Sequence, residues 1–94
     1  MIVRGREKLH EFCLRHSQAK GAIDAWYDEV VRAEWKTPQD IRNRYASADF
    51  IAGNRVIFNI KGNHFRLVVH VIYIAGTVVI DRVGTHAEYD KWRL

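Results

Sequence analysis

Residues 55–83 read RVIFNIKGNHFRLVVHVIYIAGTVVIDRV, and this run decides the fold. Apolar and polar side chains alternate through it with the period of two that an extended strand requires, because successive side chains leave opposite faces of a pleated backbone. Strands are predicted over 55–61, 64–75 and 77–83. The joints are Gly62-Asn63 and Gly76, short enough for antiparallel hairpins. In the first strand Val56, Phe58 and Ile60 share a face, with Arg55, Ile57, Asn59 and Lys61 opposite. In the second, Phe65, Leu67, Val69, Val71 and Tyr73 oppose His64, Arg66, Val68, His70 and Ile72. One face reads as core, and the other mixes bases, histidines and an amide with aliphatics, as a partly sheltered polar concavity would.

Upstream of this run the period lengthens. Leu9, Phe12, Cys13 and His16 follow helical spacing, Gly21 interrupts it, and Ile23, Trp26, Tyr27 and Val30 repeat it. Thr37-Pro38-Gln39-Asp40 has the form of a helix start, with a hydroxyl at the N-cap, proline in the first helical position and an acid in the first turn. A third helix to about Tyr45 follows, and 1–3 supplies a possible further strand. The expected architecture is therefore α+β, with two to three N-terminal helices packed on an antiparallel sheet of three to four strands. Residues 1–94 read as one domain, since no repeat and no Gly-, Pro- or Ser-rich linker divides them.

Composition limits the function. The chain of 94 residues is 48% hydrophobic with one proline, too apolar for a disordered tail. Cys13 is the sole cysteine, so no disulfide can form within the chain and no thiolate cluster can hold zinc. His10 and His16, like His64 and His70, stand six apart without a neighbouring carboxylate in a metal-binding pattern. No metal and no cofactor are expected. The apolar run 67–75 contains His70 and falls far short of the ~20 residues of a membrane span. Arg4, Arg6, Glu7 and Lys8 are followed by no apolar stretch, which argues against a secretory signal. A cytoplasmic protein is expected.

Fifteen Lys and Arg against eleven Asp and Glu give a net charge of +4. Its distribution says more than its size. Between Gly53 and Thr85 only Asp81 is acidic, against Arg55, Lys61, Arg66 and Arg82, whereas the first 47 residues carry nine bases and seven acids. An anionic partner such as RNA would meet the second half. There, Lys61 and Arg66 flank the Gly62-Asn63 turn and are expected on neighbouring strands, where a phosphate between them would relieve their repulsion.

Thr85-His86-Ala87-Glu88 is a capping box at the end of the last strand, predicting a short C-terminal helix. His86, Tyr89 and Asp90 fall at i, i+3 and i+4, on one face of it. Metal-free RNA cleavage needs a group to take the 2′-hydroxyl proton, cations for the phosphorus centre and an acid for the leaving oxygen. Lys61, Arg66, His86 and Tyr89 are the candidate catalytic set, and Arg55, Asn59, Asn63, His64 and Arg82 the candidate RNA contacts. A basic sheet surface and an ordinary capped helix would leave the same residue pattern, so a protein that binds without cutting also fits.

The run 55–68 followed by VGTHAEYDK at 83–91 resembles the HigB-type toxins of bacterial type II toxin–antitoxin systems. Ala25-Trp26-Tyr27 and Trp35-Lys36-Thr37-Pro38 are similar to the helical part of that family, so the resemblance spans nearly the whole chain. It implies a RelE-like fold and a ribosome-associated endoribonuclease, or mRNA interferase, that cuts translated mRNA until a HigA-type antitoxin binds it. By position, Lys61 and Arg66 match the family's basic sheet residues, and His86 and Tyr89 its C-terminal motif. His64 and Phe65 depart from it, standing where relatives often have Lys and Tyr. A ParE-type toxin acting on gyrase, or a non-catalytic RNA binder, is the alternative on the same scaffold.

Overall fold

The computed structural model describes residues 1–94 throughout. Five strands, β1 (Ile2–Arg4), β2 (Asp49–Ile51), β3 (Arg55–Ile60), β4 (Phe65–Ile72) and β5 (Thr77–Thr85), form one sheet in the order β1-β5-β4-β3-β2. Helices α1 (Arg6–Arg15), α2 (Lys20–Arg32) and α3 (Pro38–Arg44) precede β2, and a short helix α4 (His86–Tyr89) follows β5. The α+β class, the helices on the sheet and the capped C-terminal helix are as expected. The sheet itself is larger and mixed. β1 runs parallel to β5, and β2 adds a fifth strand beside β3. The strand expected at 1–3 is present as β1, but its parallel partner and the strand β2 are not readable locally, because a parallel pairing is made at long range and three residues are too few to show a period.

Alternation on the central strands is satisfied on the helix side. Val56, Phe58, Ile60, Phe65, Leu67, Val69, Val71, Val78 and Ile80 are buried against Leu9, Phe12, Ile23, Trp26, Val30, Trp35 and Ile41. The rings of Trp26, Trp35 and Tyr45 surround Phe58 at centroid distances of 5.4, 6.1 and 5.0 Å. Entry into α1 needs a left-handed residue, Gly5 at φ 87°, whose missing Cβ would lie 3.1 Å from that of Ile80. α3 starts as its sequence predicts. Asp40 accepts from the backbone N–H of Lys36 at 2.9 Å and of Thr37 at 3.0 Å.

A bulge sets the outer face. Val68 pairs with Arg82 but Val69 with Ile80, so Asp81 is an extra residue in β5. Strict alternation would put Arg82 beside Val78 and Ile80 in the core. The extra residue turns Arg82 outward instead, onto the face that carries Arg66 and Gly84.

No helix is long and apolar enough to cross a membrane.

Candidate active site

The β3–β4 turn corrects one expectation at once. Asn59, not Lys61, is the cross-strand partner of Arg66. β3 ends at Ile60, and Lys61 stands in the turn with φ 53°, followed by Gly62 at φ 63°. Two successive left-handed residues take Lys61 out of the strand's alternation. It is exposed, and it lines an open groove with Asn59, Tyr45, Arg44 and Arg32. The turn is closed by the His64 N–H, which donates to the Lys61 carbonyl at 3.2 Å, and His64 Nδ1 lies 2.8 Å from the same oxygen.

Arg66 is the centre of the arrangement. Only 9% of it is exposed. Its Nη1 donates to the carbonyls of Asn63 and Phe65, both at 3.3 Å, and its Nη2 to Asn63 Oδ1 at 3.4 Å. The Tyr89 ring covers the guanidinium at 5.3 Å. Across that ring stands His86, 6.5 Å between centroids, with its Nδ1 3.5 Å from Asp90 Oδ1. Arg66, Tyr89, His86 and Asp90 therefore share one patch. Two independent constraints hold it together. The Gly84–Arg66 pairing fixes β5 beside β4, and the His86 N–H donates to the His64 carbonyl at 3.1 Å.

The capping box is made in full. Glu88 N–H donates to Thr85 Oγ1 at 3.2 Å, and Thr85 N–H to Glu88 Oε1 at 2.9 Å. That Thr85 N–H, helped by the hydroxyl, His16 and Arg15 and opposed by burial, holds the Glu88 carboxyl below the ordinary glutamate range. A depressed folded value means that the stabilisation is complete above the ordinary glutamate value and is lost as pH falls through the folded one. We expect the Thr85 and Glu88 amide resonances to titrate together with a midpoint below the usual ~4.3 of glutamate. A midpoint at or above that value would mean that the cap does not hold α4.

The outer face is not open. Trp92 lies edge-on to Tyr89 at 5.9 Å and under the Arg82 guanidinium at 5.2 Å, while Arg55 Nη2 donates to the Leu94 carbonyl at 3.0 Å. The C-terminal segment thus crosses the sheet over Val68 and Ile57, which are 0% and 3% exposed although they point away from the main core. Gly84 makes room for it, since a Cβ there would stand 2.5 Å from Trp92 Cζ2. Each outward arginine of the three central strands meets this segment: Arg55 at Leu94, Arg66 at Tyr89, Arg82 at Trp92.

Of the nine candidate residues, the structure brings Arg66, His86, Tyr89, Asn63 and His64 together around the β4 entrance. Asn59 stands beside them in register but spends its amide on Ser47, whose carbonyl accepts at 3.0 Å. Arg55 and Arg82 lie further along the outer face, and Lys61 faces the separate groove. Asp90, Gly84 and Trp92 were not among the candidates. The i, i+3 spacing of Tyr89 and Trp92 was the available signal for the last.

Known proteins are similar to this chain along nearly its whole length at low identity. The mRNA interferase HigB of Escherichia coli O6:H1 is 24% identical over 93 residues, covering 97% of this chain and 90% of its own length. The mRNA interferase toxin HigB of Escherichia coli K12 and the mRNA interferase HigB of Shigella flexneri are each 25% identical over 87 residues, covering 90% of this chain and 84% of theirs. The family model for HigB toxin, described as the RelE-like toxic component of a toxin–antitoxin system, matches residues 19–92, which include α2, the turn at Asn63, Arg66 and the whole capped helix. With its helices on a single sheet and that match across most of its length, the chain belongs to the HigB toxin family.

Proposed function

We propose that this protein is the endoribonuclease toxin of a type II toxin–antitoxin system, which cuts translated mRNA on the ribosome and thereby stops protein synthesis in the cytoplasm. A HigA-type antitoxin is its cognate inhibitor. The observation that carries the reading is the patch at the β4 entrance, where a largely buried guanidinium, a phenol and an imidazole paired with a carboxylate lie against one another. Its relatives named mRNA interferase support the substrate.

The chemistry needs no metal ion. The ribose 2′-oxygen attacks the adjacent phosphorus, its proton passes to a base, and the phosphorus–O5′ bond breaks as an acid protonates the leaving oxygen. The fragments end in a 2′,3′-cyclic phosphate and a 5′-hydroxyl. His86 and Tyr89 are the proton-transfer pair, and Asp90 orients the imidazole through Nδ1. Arg66 carries the charge that builds on the phosphoryl oxygens. Lys61, at the turn, binds the backbone of a flanking nucleotide in the groove it shares with Arg44 and Asn59. His64 and Arg82, both exposed, are further contacts for the RNA backbone, while Arg55 and Asn59 hold Leu94 and Ser47.

Mapping RNA 5′ ends after induced expression tests the proposal. Wild-type protein should produce new 5′-hydroxyl ends inside translated frames, and these should disappear with His86→Ala. Growth arrest with unchanged RNA would overturn it in favour of a non-catalytic toxin of the ParE type.

A further inference from the structure

We propose that Asn63 is a positioning residue that turns Arg66 so that one particular edge of its guanidinium receives the scissile phosphate. The inference rests on the RNA-cutting reading above and assigns Asn63 a role other than contact with RNA.

A guanidinium has five N–H donors in a rigid plane. Asn63 takes the end-on edge with two acceptors, its backbone carbonyl on Nη1 at 3.3 Å and its Oδ1 on Nη2 at 3.4 Å. The Phe65 carbonyl takes the second Nη1 hydrogen at 3.3 Å. Two donors remain, on Nε and Nη2. They are adjacent and parallel, and this side-on fork matches two oxygens of a phosphate. Exchange of the two edges would break all three of these bonds, and the Tyr89 ring stands over one face at 5.3 Å.

The charge balance points the same way. Arg66 is 91% buried yet has no carboxylate partner, since the ion pairs of the chain are Lys20 with Asp24, Arg44 with Glu29 and His86 with Asp90. Carbonyl dipoles offset part of the desolvation cost of a buried cation, and an anion at the free fork would offset the rest. The turn that places Asn63 is itself fixed, by left-handed Lys61 and Gly62 and by the two contacts of His64 with the Lys61 carbonyl.

The experiment combines cleavage kinetics on a short RNA with NMR of arginine-labelled protein. Asn63→Ala should lower kcat about 10- to 100-fold while KM stays within about threefold, because the phosphate still binds but is misplaced for attack. Asn63→Asp restores the acceptor and should recover most of kcat, with a higher KM from the added negative charge. A raised KM with unchanged kcat in Asn63→Ala would overturn the proposal, showing that Asn63 touches RNA itself. In the wild type, the Arg66 Nε–H resonance should shift on adding an oligonucleotide with a 2′-deoxy residue at the cut. An unmoved resonance would overturn the free-fork assignment even if Asn63→Ala failed to fold. Should the wild type cut no RNA, the proposed function falls while this NMR measurement still decides whether Arg66 holds a phosphate.

Discussion

Arg66→Ala is expected to lower the single-turnover rate of RNA cleavage by about 10²–10³, the usual loss when one donor to a developing oxyanion is removed. The size follows from placement. A cation that is only 9% exposed stabilises charge on the phosphoryl oxygens far more than an exposed lysine does, since the local dielectric is lower and its position costs no reorganisation. Arg66→Lys should recover little. An ammonium supplies a point charge but cannot accept the three-way clamp of Asn63 and Phe65 carbonyls and still present two parallel donors. Lys61→Ala, from a residue in the separate groove, should act mainly on KM. A loss of less than tenfold for Arg66→Ala, measured on protein with wild-type circular dichroism, would remove Arg66 from the reaction.

That contrast between Arg66 and Lys61 shows where the sequence was legible. The strands, the Gly62-Asn63 turn and the Thr85 cap are each written in a few adjacent residues, and the physics that enforces them is local. Register is different. Lys61 and Arg66 stand on either side of the turn in sequence, yet a non-glycine residue at φ 53° withdraws Lys61 from the strand and leaves Asn59 opposite Arg66. Nothing in a lysine announces a left-handed conformation. The same holds for the extra residue at Asp81, which moves Arg82 from the core face to the outer one.

The covered outer face was also beyond local reading. It depends on Trp92 meeting Gly84 and Arg82, and on Leu94 meeting Arg55 across 39 residues of chain. A glycine late in an apolar strand and an aromatic residue three after Tyr89 are signals only when the partner is known. Once it is, they explain how a basic surface can be sheltered: Tyr89, Trp92 and Leu94 lie against the outward arginines, and the aliphatic side chains between them leave water. His86 and Tyr89 could be assigned to one helical face from spacing alone. Their meeting with Arg66 required the Gly84–Arg66 pairing.

Phe58→Ala should cost about 3–5 kcal/mol of folding free energy, the range for removing a buried aromatic ring. A chain of 94 residues has only about 5–14 kcal/mol in total, so the variant stands near the edge of folding at 37 °C. Phe58 is 1% exposed, and three aromatic rings close on it, so the cavity cannot collapse without moving both α2 and the segment after α3. Tyr45 is one of those rings. Its hydroxyl and the Arg44 Nε both donate to Glu29, tying α3 to α2, and that tie loosens when Tyr45 loses its support. The urea midpoint should fall with little change in slope. Cleavage per folded molecule should hold, because Phe58 faces the helices while Arg66, Tyr89 and His86 lie on the other side of the sheet. A variant that keeps its stability would show that α2 and α3 do not depend on this ring. A stable fold with lost cleavage would show instead that the core reaches through β3 to the site, and the separation of the two faces would have to be given up.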